Sequence, residues 1–205
     1  MSLKFRMQAS RRTRLDIGRA ALQQSDVGHT LKRVVVVGTS CSGKTTFAKE
    51  LAHRLNKKHV ELDAINWLPG WTPRPAADFQ ELVEKATSED EWIVDGNYSR
   101  VRDLVWERAT TLIWLNYSFP IVMYRALSRT LKRAVNRQVL YSGNRESLRM
   151  AFLTKDSILL WVLKTYHRRR REYTRMLLTD PRSTLNVVVL GSPGEAKRFL
   201  SQLRQ

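Results

Sequence analysis

The chain has 205 residues and a formal net charge of +17 at pH 7. This length suits one α/β domain with an insertion better than two full domains, and the single cysteine excludes an intramolecular disulfide framework. The longest apolar run near a predicted helix, residues 158–163, is too short to cross a bilayer, and no apolar secretory signal is visible. We therefore expect a soluble cytoplasmic protein without a membrane partner, with an organelle transit peptide at the Arg-rich N-terminus as the alternative.

The positive charge is concentrated in two segments. Residues 1–33 contain 8 Lys and Arg against 2 Asp and Glu, and residues 121–180 contain 14 against 4. Residues 34–120 are nearly neutral, with 10 against 12. Because residues 1–31 also lack an apolar periodicity, we predict a basic, mobile arm there and a folded domain over 32–205. The two basic segments are typical either of solvated surfaces or of weak nucleic-acid binding.

The first predicted elements surround a glycine-rich loop. Residues 33–37 form a β-branched run suited to a buried parallel strand, and apolar residues recur at helical spacing over 47–55. The loop between them fits Gly, four residues, Gly-Lys-Ser/Thr, a pattern that holds nucleotide phosphates. Lys44 would contact the β- and γ-phosphates and the Thr45 hydroxyl would ligate Mg²⁺, whereas an ordinary glycine turn is the alternative. The predicted nucleotide-binding residues here are Gly38, Thr39, Ser40, Cys41, Ser42, Gly43, Lys44, Thr45 and Thr46.

The rest of the chain alternates between strands and helices. Further strands are predicted at 59–62, 92–94, 111–115 and 185–190, with a helix over 79–86. Ser192 opens a capping box that ends at Glu195 and has proline at the first helical position. This alternation predicts a parallel sheet with helices on both faces. Ligands bind beyond the carboxyl ends of such strands, where Asp63, Asp95 and Ser192 would gather.

Two carboxylates at strand ends are candidates for phosphoryl-transfer chemistry. Asp95 ends the third strand, and we expect it to hold Mg²⁺ together with Thr45. Asp63 ends the second strand, where it would position the acceptor or deprotonate an acceptor hydroxyl. An acceptor phosphate is already ionised and would need only to be positioned. For both residues the alternative is an aspartate that caps the backbone of a turn.

Basic residues are the second half of the predicted site. Arginines at 125, 129, 133 and 137 are spaced by four and lie along one helix side, beside an apolar stripe that would dock the helix: Tyr124, Leu127, Leu131 and Val135. We expect Arg125 and Arg129 to face phosphate, with carboxylates of a neighbouring helix as the alternative. Arg100 is a similar candidate. The run His167–Arg171 is continuous, which favours a solvated surface or a polyanion contact over a catalytic clamp.

A loop rich in tryptophan, proline and glycine follows the second strand. Trp67 and Trp71 would either stack on a base or sugar of the substrate or pin the loop in place. Arg74 in the same loop would pair with an anionic group of the acceptor. Cys41 lies at a variable position of the phosphate loop, which demands only a small side chain there, so we assign it no chemistry.

The stretch from Val34 to about Arg133 resembles the adenylate-kinase-like proteins known as topology modulation proteins. The resemblance is carried by the Gly38–Thr45 loop, His59–Asp63, Trp67 with Gly70-Trp71, the run Trp92–Tyr98, Arg125 with Arg129, and the closing Val188–Pro193. It implies the nucleoside-monophosphate-kinase branch of the P-loop NTPases, with a five-stranded parallel sheet and a helical lid insertion, here at about 117–184. That branch holds adenine where Gly191–Pro193 lies, so Ser192 joins the predicted ATP site.

Two functions follow from these observations. The first is an ATP- and Mg²⁺-dependent kinase that transfers the γ-phosphoryl group to a nucleotide or small-molecule acceptor. Lys44, Asp63, Arg125 and Arg129 would be its catalytic residues, and Thr45 and Asp95 its metal ligands. The second is a nucleic-acid-associated ATP-binding regulator, and a kinase acting on nucleic-acid ends would combine the two. The acceptor would be bound by Asp63, Trp71, Arg74, Asp95 and Arg100, whereas the oligomeric state is left open.

Overall fold

The computed structural model describes residues 31–135, 141–144, 157–179 and 185–203. The predicted arm lies almost wholly outside these residues, as do Arg137 and much of the predicted lid, so the division into arm, domain and lid stays a prediction. None of the described helices combines the length and apolar character that a membrane span requires. The cytoplasmic location stays a prediction as well.

Strands and helices alternate along the described residues, as the sequence predicted. The strands are β1 (Arg33–Gly38), β2 (Lys58–Glu61), β3 (Trp67–Leu68), β4 (Thr72–Pro73), β5 (Trp92–Asp95), β6 (Thr111–Leu115) and β7 (Asn186–Leu190). The helices are α1 (Lys44–Leu55), α2 (Leu62–Asn66), α3 (Ala76–Ala86), α4 (Arg102–Arg108), α5 (Phe119–Val135), α6 (Ile158–Thr179) and α7 (Pro193–Gln202). Short 3₁₀ turns span Pro69–Trp71, Ser99–Val101 and Tyr141–Gly143.

Five strands form one sheet in the order β2-β5-β1-β6-β7. All four neighbouring pairs are parallel, which confirms the predicted five-stranded parallel sheet. The two short strands β3 and β4 form a separate antiparallel hairpin. Because the large sheet is parallel, its carboxyl ends meet at one edge, and the glycine-rich loop begins there at the end of the central strand β1.

The core has two layers, one on each face of the sheet. In β1, Val34 and Val36 belong to one buried cluster and Val35 and Val37 to the other, as the twofold alternation of a strand requires. Helices α1, α5 and α7 pack against the first face, whereas α3 and α4 pack against the second. Helix α6 contributes to both clusters, so it passes from one face of the sheet to the other.

Helix α5 corrects one expectation. Tyr124, Leu127 and Leu131 were expected to dock the helix, but they are 71%, 39% and 49% exposed. The buried face is formed instead by Val122, Ala126 and Thr130, which recur every four residues. Two small or polar residues on this face carry a weak apolar signal, so the larger exposed side chains dominated the sequence pattern. The side chains of Arg133 and Val135 lie outside the described part.

Candidate active site

The glycine-rich loop joins β1 to α1 at the carboxyl edge of the sheet. Gly38 has φ +153° and Gly43 has φ +92°, conformations that side chains rarely adopt. A Cβ atom at Gly38 would lie 2.8 Å from the Leu115 carbonyl oxygen, so the loop requires glycine there for space as well. No side chain caps α1, and its first turn contains no acidic residue. The loop and the helix end therefore form a cradle suited to an anion.

Lys44 lies at the start of α1, beside this cradle. Its Nζ donates to the Thr39 carbonyl oxygen at 3.2 Å. Burial lowers the pKa of the Lys44 ammonium below its usual value, while the nearby Asp63 and Asp95 carboxylates act in the opposite direction. A bound phosphate would therefore stabilise the desolvated ammonium of Lys44.

Thr45 and Asp95 meet on the other side of the loop. The Thr45 hydroxyl donates to Asp95 Oδ2 at 2.7 Å, and the Asp95 side chain is almost fully buried. His59 Nε2 lies 2.7 Å from the other carboxylate oxygen, Asp95 Oδ1. A hydroxyl and a carboxylate are hard oxygen ligands that fit Mg²⁺. The described residues contain no group of three or more His, Cys, Asp or Glu that could hold a metal.

Asp63 lies in the first turn of α2, and its carboxylate is one of the two that act on the pKa of Lys44. The Tyr98 hydroxyl donates to Asp63 Oδ1 at 2.5 Å. Next to this pair, the Tyr141 hydroxyl donates to Glu61 Oε1, and Lys49 Nζ lies 3.5 Å from Glu61 Oε2. Burial, together with the neighbouring carboxylates, raises the pKa of both tyrosines. Both phenols therefore remain hydrogen-bond donors toward these carboxylates at physiological pH.

Arg74 and Arg100 lie together beyond α2, and both are engaged by protein atoms. Arg74 Nε donates to the Ile65 carbonyl oxygen at 2.9 Å. Arg100 Nη2 donates to Asn66 Oδ1 at 2.6 Å, and its Nη1 donates to the Arg74 carbonyl oxygen at 3.2 Å. The two guanidinium groups thus hold the loop between α2 and α3 in this structure.

Trp71 is fixed by a segment far away in the chain. Its backbone N–H donates to Asn144 Oδ1 at 3.1 Å, and Asn144 Nδ2 donates to the Leu68 carbonyl oxygen at 3.0 Å. The Ser142 hydroxyl donates to the Trp67 carbonyl oxygen at 2.6 Å, and the rings of Trp67 and Trp71 meet edge to face at 5.7 Å. These contacts favour the loop-pinning role over stacking on a substrate.

The two arginines of α5 are placed differently. Arg125 reaches the loop, because its Nη1 donates to the Ser42 carbonyl oxygen at 2.6 Å. Its guanidinium also lies 5.2 Å from the centre of the Tyr117 ring. Arg129 is half-buried, and its Nε is buried without a hydrogen-bond partner. Arg125 is therefore the residue of this pair that the structure brings to the phosphate loop.

Ser192 lies at the same edge of the sheet, and its hydroxyl is used locally. The Ser192 oxygen accepts from the Glu195 N–H at 3.2 Å, and Glu195 Oε2 accepts from the Gly191 N–H at 2.8 Å. The predicted capping box is thus confirmed. A contact with adenine would use the backbone of this turn.

Three residues near the loop were not predicted as site residues from the sequence: Asn97, Arg169 and Tyr173. Arg169 is half-buried, whereas its neighbours in the run, at 168, 170 and 171, are exposed. Its positive charge lowers the pKa of Lys44, which places it within electrostatic range of the loop. The spacing of the buried Val162, Tyr166 and Tyr173 would have marked Arg169 as the inward-facing arginine.

Known structures share this architecture. A shikimate kinase from Bacteroides thetaiotaomicron is similar with a TM-score of 0.51 and 12% identity, over 84% of this chain and 96% of that chain. A shikimate kinase from Acinetobacter baumannii in complex with shikimate has a TM-score of 0.50 and 17% identity, over 87% of this chain and 93% of that chain. A gluconokinase from Sinorhizobium meliloti 1021 has a TM-score of 0.46 and 19% identity, over 85% of this chain and 94% of that chain.

The two shikimate kinases show that the chain has a P-loop kinase-like fold, with a parallel five-stranded sheet flanked by helices. At these identities the similarity extends to the fold alone. No family model and no curated protein matches the sequence.

Proposed function

We propose that the protein is an ATP- and Mg²⁺-dependent phosphotransferase whose acceptor is a small molecule with a free hydroxyl group. The observation that carries this proposal is the joint placement of Lys44, the Thr45–Asp95 pair and Asp63 at the carboxyl end of the central strand. The Thr45 hydroxyl donates to Asp95 at 2.7 Å. Burial lowers the pKa of Lys44, and the Asp63 and Asp95 carboxylates partly offset this by stabilising the protonated form. Donor and acceptor groups therefore converge on one ammonium.

The donor side would hold ATP through the glycine-rich loop. The uncapped start of α1 would offer backbone N–H groups of the Gly38–Thr46 segment, and Lys44 offers a desolvated positive charge. Mg²⁺ would be held by Thr45 and Asp95 and would neutralise charge on the phosphate oxygens when bound. Arg125 reaches the loop at Ser42, and it would add a second cation near the transferred group, with Arg129 one turn further along α5.

The acceptor side favours a hydroxyl over a phosphate. A phosphate acceptor needs free cations, but Arg74 Nε is bonded to a carbonyl oxygen of α2, and both Nη atoms of Arg100 are bonded to Asn66 and to the Arg74 backbone. Asp63 and Glu61 are carboxylates, and the phenols of Tyr98 and Tyr141 donate to them. Carboxylates repel an anionic acceptor, whereas they accept hydrogen bonds from hydroxyl groups.

Asp63 would act as the general base. It would accept the proton that the acceptor hydroxyl loses as that oxygen bonds to the transferred phosphorus, while the bond to the departing diphosphate breaks. Lys44 and Arg125 would neutralise the charge that moves onto the departing oxygen. Tyr98 would hold the Asp63 carboxylate in place through its 2.5 Å hydrogen bond.

Membership of the topology modulation proteins, and with it the nucleoside-monophosphate-kinase branch, is the finer part of this proposal. Its support is the set of matching segments, above all the run Trp92–Tyr98. Asp95, Asn97 and Tyr98 of this run are hydrogen-bonded to Thr45, Gly38 and Asp63. These three side chains give the run a physical role at the loop and at the acceptor side.

Nucleic-acid association is the second candidate, and one observation favours it. The arginines at 168, 170 and 171 of α6 are exposed, so part of the basic run faces solvent. Phosphate contacts would make binding fall steeply with salt. Fluorescence anisotropy with a labelled single-stranded oligonucleotide at low salt tests this candidate, and absence of binding there would remove both the regulator and the nucleic-acid-end kinase.

Calorimetry tests the nucleotide site. Titration of the protein with ATP should show binding that strengthens when Mg²⁺ is present. Thr45→Val keeps the shape of the side chain and removes the hydroxyl, so this variant should bind ATP without the gain from Mg²⁺. If the wild-type protein gives no heat with ATP or GTP in either condition, the proposal is wrong.

A further inference from the structure

Helix α6 crosses the carboxyl edge of the sheet on two tyrosine anchors. The Tyr166 hydroxyl donates to the Tyr117 carbonyl oxygen at 2.8 Å, and the Tyr173 hydroxyl donates to Asn97 Oδ1 at 2.8 Å. Tyr117 follows β6 and Asn97 follows β5, and β1 lies between these two strands in the sheet. The helix therefore bridges the two strands that flank the phosphate loop.

Asn97 connects one of these anchors to the first residue of the loop. Its Oδ1 accepts from the Gly38 N–H at 3.4 Å, and its Nδ2 donates to the Gly38 carbonyl oxygen. Gly38 is confined on its other side, because a Cβ there would meet the Leu115 carbonyl oxygen at 2.8 Å. The amide of Asn97 thus satisfies both backbone groups of the residue from which the loop departs.

Tyr173 adds a second hydrogen bond to the oxygen of this amide. The Gly38 N–H can only donate and the Gly38 carbonyl oxygen can only accept, so together they set which way the amide faces. The Tyr173 hydroxyl donates to the same Oδ1 and thereby holds the Asn97 side chain in place. Burial raises the pKa of Tyr173 to about 12, so its hydroxyl remains a donor over the working pH range.

The surroundings of Tyr173 leave it little freedom to move. Its side chain is 3% exposed, and its ring lies 6.3 Å from that of Trp106 and 5.9 Å from that of Trp114. The cavity lined by Asn97, Tyr98 and Tyr173 has a volume of about 10 Å³, which holds one water molecule at most. The bridge from α6 to Gly38 is therefore tightly packed.

We propose that Asn97 is a positioning residue for the phosphate loop and that Tyr173 fixes it, so that docking of α6 sets the affinity for the nucleotide phosphates. This inference rests on the proposed function. Arg169 lies one turn before Tyr173 and is half-buried, with its guanidinium 5.7 Å from the centre of the Trp161 ring on the same helix, so the position of this cation also depends on how α6 docks. Docking of α6 and formation of the phosphate cradle are then one event.

The two anchors give a matched pair of variants. Tyr173→Phe and Tyr166→Phe each remove one buried hydroxyl that holds the same helix, but only the Tyr173 hydroxyl bonds a side chain that is itself hydrogen-bonded to the loop backbone. Both variants should lower the Tm by similar amounts. Tyr173→Phe should weaken Mg·ATP binding by about five- to tenfold, as expected for about one lost hydrogen bond, whereas Tyr166→Phe should change it less than about twofold. Equal effects of the two variants on affinity would overturn the inference.

A double-mutant cycle tests whether Tyr173 acts through Asn97. Asn97→Ala combined with Tyr173→Phe should bind Mg·ATP no more weakly than Asn97→Ala alone, because the tyrosine then has no side chain at position 97 to bond. Additive losses of affinity in the double variant would show that the tyrosine acts by another route. Should Asn97→Ala fail to fold, the matched tyrosine pair still decides the question.

Hydrogen–deuterium exchange separates this inference from the proposed function. In the nucleotide-free protein, exchange of the amides over residues 38–43 should become faster in Tyr173→Phe and remain unchanged in Tyr166→Phe. A wild-type protein that does not bind Mg·ATP would contradict the proposed function, and the exchange result would still decide whether α6 is coupled to the loop. Unchanged exchange in both variants would refute the coupling.

Discussion

The donor side and the acceptor side of the candidate site are built in different ways. The donor side is one contiguous segment, Gly38–Thr46, which connects the central strand to α1. The acceptor side is assembled from α2, the β3–β4 hairpin, residues 98–100 and the turn at 141–144, held together by hydrogen bonds over long sequence separations. A contiguous site is specified by a local motif, whereas an assembled site depends on contacts that only the fold creates.

The difference extends to charge. The donor side presents the ammonium of Lys44 and the guanidinium of Arg125. The acceptor side presents the carboxylates of Glu61 and Asp63, each with a phenol that donates to it. The proposed phosphoryl transfer to a hydroxyl would use this arrangement, because the donor carries negative charge and the acceptor must lose a proton. Changes on the two sides should therefore have separable effects on nucleotide binding and on transfer.

The largest effect is expected on the donor side, at Lys44. Lys44→Met removes the ammonium and keeps most of the side-chain volume, so turnover should fall at least about a thousandfold. Steady-state assays with labelled ATP measure the loss. Lys85→Met is the control, because Lys85 is exposed on α3, and its turnover should stay within about threefold of wild type. Near-full turnover of Lys44→Met would contradict the assignment of the donor side.

A slightly smaller effect is expected on the acceptor side, at Asp63. Asp63→Asn should lower kcat by about a hundred- to a thousandfold, because the amide cannot accept the proton. The Kd for Mg·ATP should change little, since the loop is untouched. Tyr98→Phe keeps the carboxylate and removes its donor, so its loss should be less than about tenfold. If Asp63→Asn keeps wild-type kcat, no base is needed and a phosphate acceptor becomes the better interpretation.

The pH dependence of nucleotide affinity gives a third contrast. The protonated form of Lys44 binds phosphate, and burial lowers its pKa below the usual 10.5, so affinity for Mg·ATP should fall as pH rises through that lowered value. Above it, the loss approaches about tenfold per pH unit. Calorimetry at a series of alkaline pH values measures it. An affinity that stays constant up to pH 10.5 would show that the ammonium is not desolvated.

Unfolding caused by the titration of Lys44 does not explain this loss of ATP affinity, because the contribution of Lys44 to the free energy of unfolding increases as pH rises. A lysine whose folded pKa is lower than its unfolded pKa binds more protons in the unfolded chain within that window. The contribution of Lys44 to the stability of the nucleotide-free protein therefore increases as pH rises through the window. Thermal unfolding over the same pH series separates the two effects.

The smallest effect is expected at Asn144, which joins the turn at 141–144 to the β3–β4 hairpin. Asn144→Ala removes the hydrogen bonds to Trp71 and Leu68, so the acceptor KM should rise by about three- to tenfold. The Kd for Mg·ATP should remain unchanged. Initial rates at varied acceptor concentration provide the measurement. A larger effect on ATP binding than on the acceptor KM would contradict the assignment of this turn to the acceptor side.

The sheet and the phosphate loop could be predicted because their signals are local. The β-branched run at 33–37, the glycine spacing and the apolar residues of α1 each specify their structure over a few residues. The predicted strands lie within one residue of the observed bounds for the same reason. The capping box at Ser192 is likewise a signal confined to four residues.

The assembled parts could not be predicted in the same way. Trp71 and Asn144 are 73 residues apart, and no local pattern pairs them. In the run His167–Arg171 every residue is basic, so composition alone does not reveal which residue faces inward; the buried tyrosines on either side do. On α5 the large exposed side chains concealed a core face made partly of Ala126 and Thr130.

Transfer of label from ATP tests the central claim most directly. The purified protein is incubated with Mg²⁺ and γ-labelled ATP, together with neutral hydroxyl compounds, nucleoside monophosphates and 5′-hydroxyl oligonucleotides. A small hydroxyl compound should gain an acid-stable phosphate ester, and Lys44→Met and Asp63→Asn should abolish that product. Label that appears only in inorganic phosphate, or only on a monophosphate, would contradict the account.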